Sequence, residues 1–438
     1  MSEHPVIVNT RALPEALRGS VGLEGTASIN DTSDGRPIEE IDTGTAMANI
    51  FAELRQAENR AHAAVLTAPH DGRWASAAAR FQSLVASGEM GDMRYAPLPT
   101  GGLEAQFDTD DWLGWAQVVW EKIKNLKPYG PRPCPAASID SLSDNAQIAV
   151  MGDWGTALYG ALEIEKTIRG RQEPFDLLMH LGDIYYSGTH KEVKTRFLEH
   201  WPAKMGRINR ALNSNHEMYS GGYAYFQDIL PAFNQSSSYF ALQNRHWILV
   251  GLDVAYKDHA IDDEQVAWLT QMLSQAGDRR VVLFSHHQLY SQFWSQGTSL
   301  LANAGFDAIL RKKRIFAWYW GHEHRCVLFD EPDEQFGLWG RCIGHGGMPE
   351  TRTPTRDLPR ATEGIYTRAD WRRVAAKTSD GIAIPRATVL EGPNPFIPGE
   401  EDKFTPHGYA VLTLDGPKLT EQVLDPTGTV IYEKTLAS

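Results

Sequence analysis

Short apolar runs alternate with amphipathic segments from residue 144 onward, and each run stops at a group of polar residues. The runs with the length and composition of buried strands are QIAVM (147–151), FDLLMHL (175–181), HWILVGLDV (246–254), RRVVLF (279–284) and IFAWYW (315–320). Residues 264–276 instead have helical spacing, with an apolar face formed by Val266, Leu269, Leu273 and Ala276. Strands that alternate with helices predict an α/β domain with sheets at its core.

The sequence before residue 144 has a different pattern. Apolar positions keep helical spacing over residues 45–66, 74–87 and 110–126, and a proline-rich segment follows at 127–138. We therefore predict an N-terminal helical region with a linker over residues 1–143 and a second domain over residues 144–438. Within that domain, residues 350–406 lack periodicity and are predicted to form a long covering loop or insertion. Residues 407–438 read as terminal β-strands separated by the turn sequences DGPK and DPTG.

Charge and composition exclude several classes of protein. The net charge of −13 over 438 residues argues against a stable nucleic-acid partner, because nucleic-acid-binding proteins normally carry a basic surface. No apolar run approaches the ~20 residues that span a bilayer, and the first residues lack the basic start and apolar stretch of a secretory signal. The three cysteines are few, odd in number and without zinc-type spacing. Together with the missing signal sequence, this leads us to expect a cytoplasmic protein without structural disulfides. The sequence leaves the oligomeric state open.

Polar residues of a few types stand at five predicted strand ends. These groups are GDWG with Asp153, GDIYY with Asp183 and Tyr186, SNHE with Asn215, His216 and Glu217, SHHQ with His286 and His287, and GHEH with His322 and His324. Ligands of open α/β sheets bind at the carboxyl ends of the strands, so these residues can converge on one site. Taken singly, each has an ordinary structural explanation, such as a turn for aspartate or a buried core position for histidine. Their repetition at successive strand ends indicates a common site.

The residue types at these strand ends point to metal ions. Carboxylate, imidazole, amide and phenolate groups suit iron, zinc and manganese. Two cations about 3.5–4 Å apart share a bridging ligand, which a carboxylate supplies more easily than an imidazole. Such a pair polarises a phosphoryl oxygen and produces hydroxide from water near neutral pH. It would also give an anionic substrate the positive charge that this acidic chain otherwise lacks.

The order of these motifs resembles that of the calcineurin-like metallophosphoesterases. Their signature is Gly-Asp, a second Gly-Asp, Gly-Asn-His-Asp/Glu, a later His and Gly-His-x-His, and the match runs from Ile148 to His324. Within this superfamily the chain is most similar to the purple acid phosphatases. Gly155 replaces the usual histidine of the first motif, and Tyr186 stands where most members have an acidic residue. The resemblance implies an α/β fold in which helices flank a β-sandwich (αββα), with the N-terminal helical region added to it.

The resemblance also implies a ligand set for two metal ions. The first, Fe(III), would be bound by Asp153, Asp183, Tyr186 and His324, and the second, a divalent iron, zinc or manganese ion, by Asp183, Asn215, His286 and His322. Asp183 would bridge the two ions. His216 would contact the substrate, where it stabilises the phosphate or protonates the leaving oxygen, and Glu217 would orient a histidine or a water.

Three further residues are candidates for contacts with the substrate or with the ligands. His287 directly follows the predicted ligand His286, while Arg325 and His345 could reach the phosphate or occupy ordinary surface and turn positions. Ser214 replaces the glycine that usually precedes Asn-His, which affects that turn but removes no ligand.

Together these motifs predict a metal-dependent phosphoric ester hydrolase similar to the purple acid phosphatases. It would hydrolyse phosphate monoesters by attack of a metal-activated hydroxide on phosphorus, with a small phosphoester as its partner. One alternative is a phosphodiesterase that acts on cyclic nucleotides, nucleotide derivatives or phospholipid headgroups. Another is a catalytically silent binding or scaffold protein on the same fold.

Overall fold

The computed structural model describes residues 127–135 and 139–438, together with residues 6–7, 49, 52, 79–80, 82–83, 94–97 and 103–106. Contacts between residues divide the chain into two units. One comprises residues 1–127 with 219–221, and the other comprises residues 128–218 with 222–438. Among the described residues, no helix is both long and apolar enough to cross a membrane.

The smaller unit contains a three-stranded sheet that the sequence did not predict. Its strands are β1 (Val6–Ile7), β2 (Arg94–Pro97) and β3 (Leu103–Gln106). Strand β3 lies in the middle, parallel to β1 and antiparallel to β2. Of the helices predicted in this region, residues 49, 52, 79–80 and 82–83 are helical, and the remaining positions lie outside the described residues.

The larger unit is built from two large sheets and a separate two-stranded hairpin. Its strands are, in chain order, β4 (Asp140–Ser141), β5 (Asn145–Met151), β6 (Phe175–His180), β7 (Gly206–Ala211), β8 (Phe240–Gln243), β9 (Trp247–Gly251), β10 (Arg280–Ser285), β11 (Ile315–Trp320), β12 (Cys326–Phe329), β13 (Trp339–Ile343), β14 (Asp370–Val374), β15 (Lys377–Ser379), β16 (Ile382–Ile384), β17 (Ala387–Glu391), β18 (Tyr409–Asp415), β19 (Lys418–Leu424) and β20 (Val430–Ala437). One sheet has the order β20-β19-β18-β5-β6-β7, and the other has the order β14-β17-β12-β13-β11-β10-β9-β8-β4. Strands β5, β6 and β7 are parallel in the first sheet, as are β9, β10, β11 and β13 in the second.

Helical segments connect these strands. They are α1 (Gly160–Arg169), α2 (His190–Glu192), α3 (Asn215–Tyr219), α4 (Leu230–Ala232), α5 (Asp263–Ser274), α6 (Thr298–Leu301) and α7 (Ala304–Arg311). Two π-helical turns, Val193–Leu198 and Tyr225–Ile229, and two 3-10 turns, Ala203–Met205 and Gly364–Arg368, complete them. The Asp262 carboxylate caps α5 by accepting a hydrogen bond from the backbone N–H of Gln265 at 2.9 Å.

Alternation along the strands produces the layers of the fold. Ile148 and Val150 of β5 belong to the core between the two sheets, whereas Ala149 and Met151 pack on the outer face with α1. Strand β10 behaves in the same way: Val282 and Phe284 belong to the core between the sheets, while Val281 and Leu283 belong to the outer core with α5 and α7. The order of layers is therefore helix, sheet, sheet, helix, and the predicted αββα fold class is confirmed.

The segment predicted as a long covering loop has regular structure. Its strands β14 and β17 pair with each other and extend the nine-stranded sheet past β12, and β15 and β16 form a separate hairpin. These strands are short and carry polar residues such as Arg372 and Arg373, so they show little periodicity in the sequence. The final strands β18, β19 and β20 form an antiparallel group next to β5, and the proline-rich residues 128–135 belong to the larger unit.

Candidate metal centre

The predicted ligands follow strand ends in both sheets. Asp153, Asp183 and Asn215 come after β5, β6 and β7 of the six-stranded sheet, and His286 and His322 come after β10 and β11 of the nine-stranded sheet. All five are almost completely buried. Contacts between their side chains cross from one sheet to the other, for example His286 Nε2 to Asp183 Oδ1 at 3.1 Å.

The backbone at these strand ends is unusual. Asp153, Asp183, His322 and His324 have φ angles of 56°, 77°, 70° and 52°, a region that non-glycine residues rarely occupy. Such conformations cost on the order of 1–3 kcal/mol each and cluster at functional sites. The glycine that precedes His322 is required by space, because a Cβ at Gly321 would lie 2.6 Å from the Asp153 carboxylate. The local sequence thus turns each of these side chains toward the same point.

The first group of ligands gathers around a tyrosine hydroxyl. The Tyr185 hydroxyl lies 2.8 Å from Asp183 Oδ2, 3.2 Å from Asp153 Oδ1 and 3.1 Å from His324 Nε2. His324 Nε2 lies in turn 3.5 Å from Asp153 Oδ1. Two carboxylates, one imidazole and one phenol therefore converge within hydrogen-bonding distances. Asp153, Asp183 and His324 are also close enough to bind one metal ion together.

The structure brings Tyr185, rather than the predicted Tyr186, into this group. The backbone carbonyl of Tyr186 accepts a hydrogen bond from His216 Nδ1, and its N–H donates to Glu192 Oε1. Its ring packs against the Arg196 guanidinium at 5.4 Å, and burial raises the pKa of its phenol. The motif spacing selected the second of two adjacent tyrosines. In the turn after β6, the Tyr185 hydroxyl faces the carboxylates, whereas the Tyr186 ring faces Arg196.

The second group gathers around His286 Nε2. This nitrogen lies 2.9 Å from Asn215 Oδ1, 3.1 Å from Asp183 Oδ1 and 3.2 Å from His322 Nδ1. These are the four side chains predicted for the second metal. Asp183 has one carboxylate oxygen in each group, as a bridging ligand requires.

The lone pairs of the second group face one another. His286 Nδ1 donates to the Leu181 carbonyl oxygen at 2.9 Å, so in a neutral ring Nε2 carries a lone pair. That lone pair faces the oxygens of Asn215 and Asp183, which are also acceptors. Only a proton or a metal ion makes such an arrangement favourable, and oxygen and nitrogen donors of this kind suit zinc, iron or manganese. The residues present therefore fit a metal ion.

Electrostatics in the metal-free site lead to the same conclusion. Burial, and next the charge of Asp183, raise the pKa of Asp153 well above its usual value. Burial also acts to raise the pKa of Asp183, but His216 and His286 outweigh it and hold the pKa well below the usual range. Burial lowers the pKa of His286, and the Asp183 carboxylate more than reverses this effect. Two buried carboxylates this close disfavour carrying two negative charges at once, which favours a proton or a cation at the site.

His216 and Glu217 lie beside the two groups. His216 Nε2 is 3.8 Å from Asp183 Oδ2, and its ring lies edge-on to that of Tyr185, 4.6 Å between centroids. Burial lowers the pKa of His216. Glu217 accepts a hydrogen bond from the Ser214 hydroxyl, and burial followed by the charge of Asp183 raises its pKa to about 8. Through Ser214, Glu217 holds the turn that presents Asn215.

The three remaining candidates occupy different surroundings. His287 lies against the rings of His286 and His322, with centroids 4.8 and 4.5 Å away. Arg325 is buried and donates to Glu350 Oε1 at 3.1 Å and to the Thr351 carbonyl at 2.6 Å, so its charge holds the chain after residue 349. His345 is buried outside the ligand groups, where burial and then His407 lower its pKa to about 3.

Two residues near the centre were not predicted. His259 lies in the loop between β9 and α5, with its ring 3.8 Å from that of His287. Trp294 lies edge-on to His322 and His324, at 5.0 and 5.7 Å between ring centroids. Neither belongs to a recognisable motif, and only the folded chain brings them to the ligands. The turn that carries Trp294 is held by Ser291, whose hydroxyl accepts from the Trp294 N–H at 2.8 Å.

One family of known proteins matches the part of the chain that carries these residues. Residues 146–326 match the family model for calcineurin-like phosphoesterases. No curated protein matches the chain. A solved purple acid phosphatase from yellow lupin (Lupinus luteus) seeds is similar at 15% identity and a TM-score of 0.47, covering 69% of this chain and 55% of that one. The chain thus spans little more than half the length of the lupin protein.

Two further solved structures are similar over comparable lengths. One is GAP50, the anchor in the inner membrane complex of Plasmodium, with 12% identity, a TM-score of 0.45 and coverage of 67% of this chain and 89% of that one. The other is a dimetal phosphatase from Danio rerio, with 13% identity, a TM-score of 0.39 and coverage of 67% and 98%. The residues that match the family model include all the strand ends from Asp153 to His324. Residues 146–326 are thus similar to the calcineurin-like phosphoesterases, and the resemblance inferred from the motifs is confirmed.

Proposed function

We propose that this chain hydrolyses phosphate monoesters with a pair of metal ions bound at the candidate metal centre. The observation that carries the proposal is the convergence of lone pairs at His286 Nε2, which faces Asn215 Oδ1 at 2.9 Å and Asp183 Oδ1 at 3.1 Å. One ion would be held by Asp153, Asp183, Tyr185 and His324, and the other by Asp183, Asn215, His286 and His322. When bound, such a pair supplies Lewis acidity toward a phosphoryl oxygen and toward a water molecule. We propose a ferric ion for the tyrosine-containing group and divalent iron, zinc or manganese for the other.

His216 is positioned to act on the substrate. Its Nδ1 donates to the Tyr186 carbonyl, which orients Nε2 toward Asp183 and the space beside the two groups. A neutral His216 would accept at Nε2, whereas a protonated one would donate to a phosphate oxygen or to the leaving oxygen. A bound phosphate dianion raises the pKa of a neighbouring imidazole, so substrate binding itself favours the protonated form.

The alternative of a silent scaffold on this fold has less support. Such a protein has no need to keep a ligating side chain at each position of the centre. Here every ligand position holds Asp, Asn, His or Tyr, and these side chains contact one another. The choice between monoesters and diesters depends on the walls of the pocket, and the test therefore includes both substrates.

The test combines metal analysis with turnover of p-nitrophenyl phosphate and bis(p-nitrophenyl) phosphate. Asp183→Asn and Asn215→Ala should each lower turnover by at least about a thousand-fold, or ~4 kcal/mol, because the metal pair is lost or weakened. Asp176→Asn, on the same strand β6 but away from the centre, should keep full turnover and serves as the control. Full activity in both centre variants would overturn the proposal. Faster cleavage of the diester would replace the monoesterase by a phosphodiesterase.

A matched pair of variants tests which of the two adjacent tyrosines supplies the phenol ligand. Tyr185→Phe should abolish any visible absorption from a phenolate bound to ferric iron and weaken retention of that ion about ten-fold, or ~1.4 kcal/mol. Tyr186→Phe should leave both unchanged, because its ring lies against Arg196. Loss of the absorption in the second variant alone would return the ligand to the residue that the motif spacing selected.

A further inference from the structure

A second set of histidines lies next to the candidate metal centre. His259 follows β9, His287 follows β10 and His322 follows β11, and the three rings form one cluster. Their centroids are 3.8 Å apart for His259 and His287, 4.5 Å for His287 and His322, and 5.7 Å for His259 and His322. One nitrogen from each ring lies within 4.8 Å of the others. This separation is short enough for all three to reach one metal ion.

The orientation of the outer two rings matches that of metal ligands. His259 Nδ1 hydrogen bonds to Asp258 Oδ1 at 2.8 Å, and a histidine held by a carboxylate in this way binds metals through Nε2. His322 Nδ1 lies 3.2 Å from His286 Nε2, on the side of the candidate metal centre. Because the two nitrogens of an imidazole point away from each other, Nε2 is the atom that His322 can offer to His259 and His287.

The surroundings suit an exchangeable ion with an open position. His287 and His322 are 1% and 3% exposed, whereas the side chain of His259 is 24% exposed and borders the solvent. Asp258 and His259 have φ angles of 50° and 62°, so two successive non-glycine residues adopt the left-handed conformation that directs His259 inward. Three imidazoles with one side open to water are the ligand arrangement of catalytic zinc sites.

We propose that His259, His287 and His322 bind a third divalent cation beside the candidate metal centre. Neutral imidazoles favour zinc, copper or nickel over magnesium and calcium, and zinc is the probe we choose. When both sites are filled, His322 would bind as an imidazolate through its two nitrogens, and its ring proton would be released to the solvent. The open position would take a water or an oxygen of the substrate, which adds positive charge to the phosphate site of an acidic chain. In this last respect the inference rests on the proposed phosphoesterase function, whereas binding of the ion itself does not.

The test counts zinc per chain after metal removal and equilibration with zinc alone. Wild-type protein should retain three zinc ions and His259→Ala two. His190→Ala should retain three and is the matched control, since His190 also bonds an aspartate through Nδ1, at 2.6 Å from Asp228, but belongs to no metal-ligand group in the described part of the chain. An unchanged count in His259→Ala, or only two ions in the wild-type protein, would overturn the proposal.

Two further variants separate this proposal from the phosphoesterase function. Asp258→Asn keeps the ligand and should weaken binding of the third ion about 10- to 100-fold in a zinc titration, because it removes the partner that orients His259. Asp183→Asn should lose turnover and two zinc ions but retain the third. Two ions in the wild-type protein and none in Asp183→Asn would leave the phosphoesterase proposal intact and sink the third site. One ion in both the wild-type protein and Asp183→Asn, and none in His259→Ala, would support the third site and overturn the phosphoesterase proposal.

Discussion

Two buried polar clusters link the sheets of the larger unit, and they differ in how their atoms pair. In the first, Arg341 of β13 donates to Glu421 of β19 at 2.8 and 3.0 Å, and the Tyr319 hydroxyl of β11 donates to the same carboxylate at 2.6 Å. Both oxygens of Glu421 therefore face donors. In the second, the candidate metal centre, His286 Nε2 faces the oxygens of Asn215 and Asp183.

This difference indicates which of the two clusters is suited to binding a cation. Arg341, Glu421 and Tyr319 are completely buried, and the charge of Arg341 is paired with that of Glu421. The metal centre is buried as deeply, yet its acceptors face one another and its two carboxylates lie together. A cluster whose opposite charges pair maintains the fold, whereas one in which carboxylate, amide and imidazole groups converge is suited to a cation.

The largest effect is expected where the internal pairing is broken. Arg341→Met leaves the Glu421 charge buried without its partner, and the free energy of unfolding should fall by about 3–5 kcal/mol in urea titrations. Because a buried ion pair is replaced by apolar groups at little cost, Arg341→Met combined with Glu421→Leu should recover most of the loss. A single variant within about 0.5 kcal/mol of wild type would show that this pair does not hold the two sheets together.

Metal removal should lower the free energy of unfolding through the candidate metal centre and not through the pair of Arg341 and Glu421. A chelator should lower the free energy of unfolding of the metal-loaded protein by about 2.7 kcal/mol if the ions were present at a hundred times their dissociation constant. Asp183→Asn should show only the smaller chelator effect of the third ion proposed at His259, His287 and His322, and without metal its stability should match that of the metal-free wild type within ~1 kcal/mol. Thermal unfolding with and without chelator measures both. An equal chelator effect in wild type and Asp183→Asn would place the stabilising ion elsewhere.

A buried histidine outside both clusters should give the smallest effect. His180 packs against Phe197, with ring centroids 4.6 Å apart, and burial lowers its pKa to about 3. An unfolded chain protonates this residue below its ordinary pKa of about 6.5, so stability is lost as the pH falls from there toward 3. His180→Phe should remove about 1 kcal/mol of the loss between pH 7 and pH 5.5, measured by urea unfolding. If the free energy of unfolding falls equally with pH in the variant and the wild type, other groups are responsible for the acid sensitivity.

The strand ends explain why much of the centre was predictable. A buried strand has a clear period, and Gly-Asp or Gly-His directly after it marks where the chain turns and where a ligand points. Gly321 illustrates the link, because the space beside it is filled by the Asp153 carboxylate. Six of the seven predicted ligands accordingly lie in the two groups.

The remaining features depend on information that spacing does not contain. The choice between Tyr185 and Tyr186 depends on the direction of each side chain along two adjacent residues. His259 reaches His287 from a loop with no motif, and only the packing of three strand ends brings them together. The strands β14 (DWRRV) and β17 (ATVLE) escaped prediction because five residues that mix apolar and polar types give no clear period.

The two-sheet origin of the ligands has a consequence for how the protein comes apart. The N–H of His322 donates to Asp153 across 169 positions of the chain, and the predicted ligands of each ion come from both sheets. An ion bound there would cross-link the two sheets reversibly and close very long loops, so it would have to leave before the sheets separate. Release of the ion and the first separation of the two sheets would then be limited by the same activation barrier. Resistance to proteases should accordingly follow the rate of metal exchange rather than the strength of the apolar core.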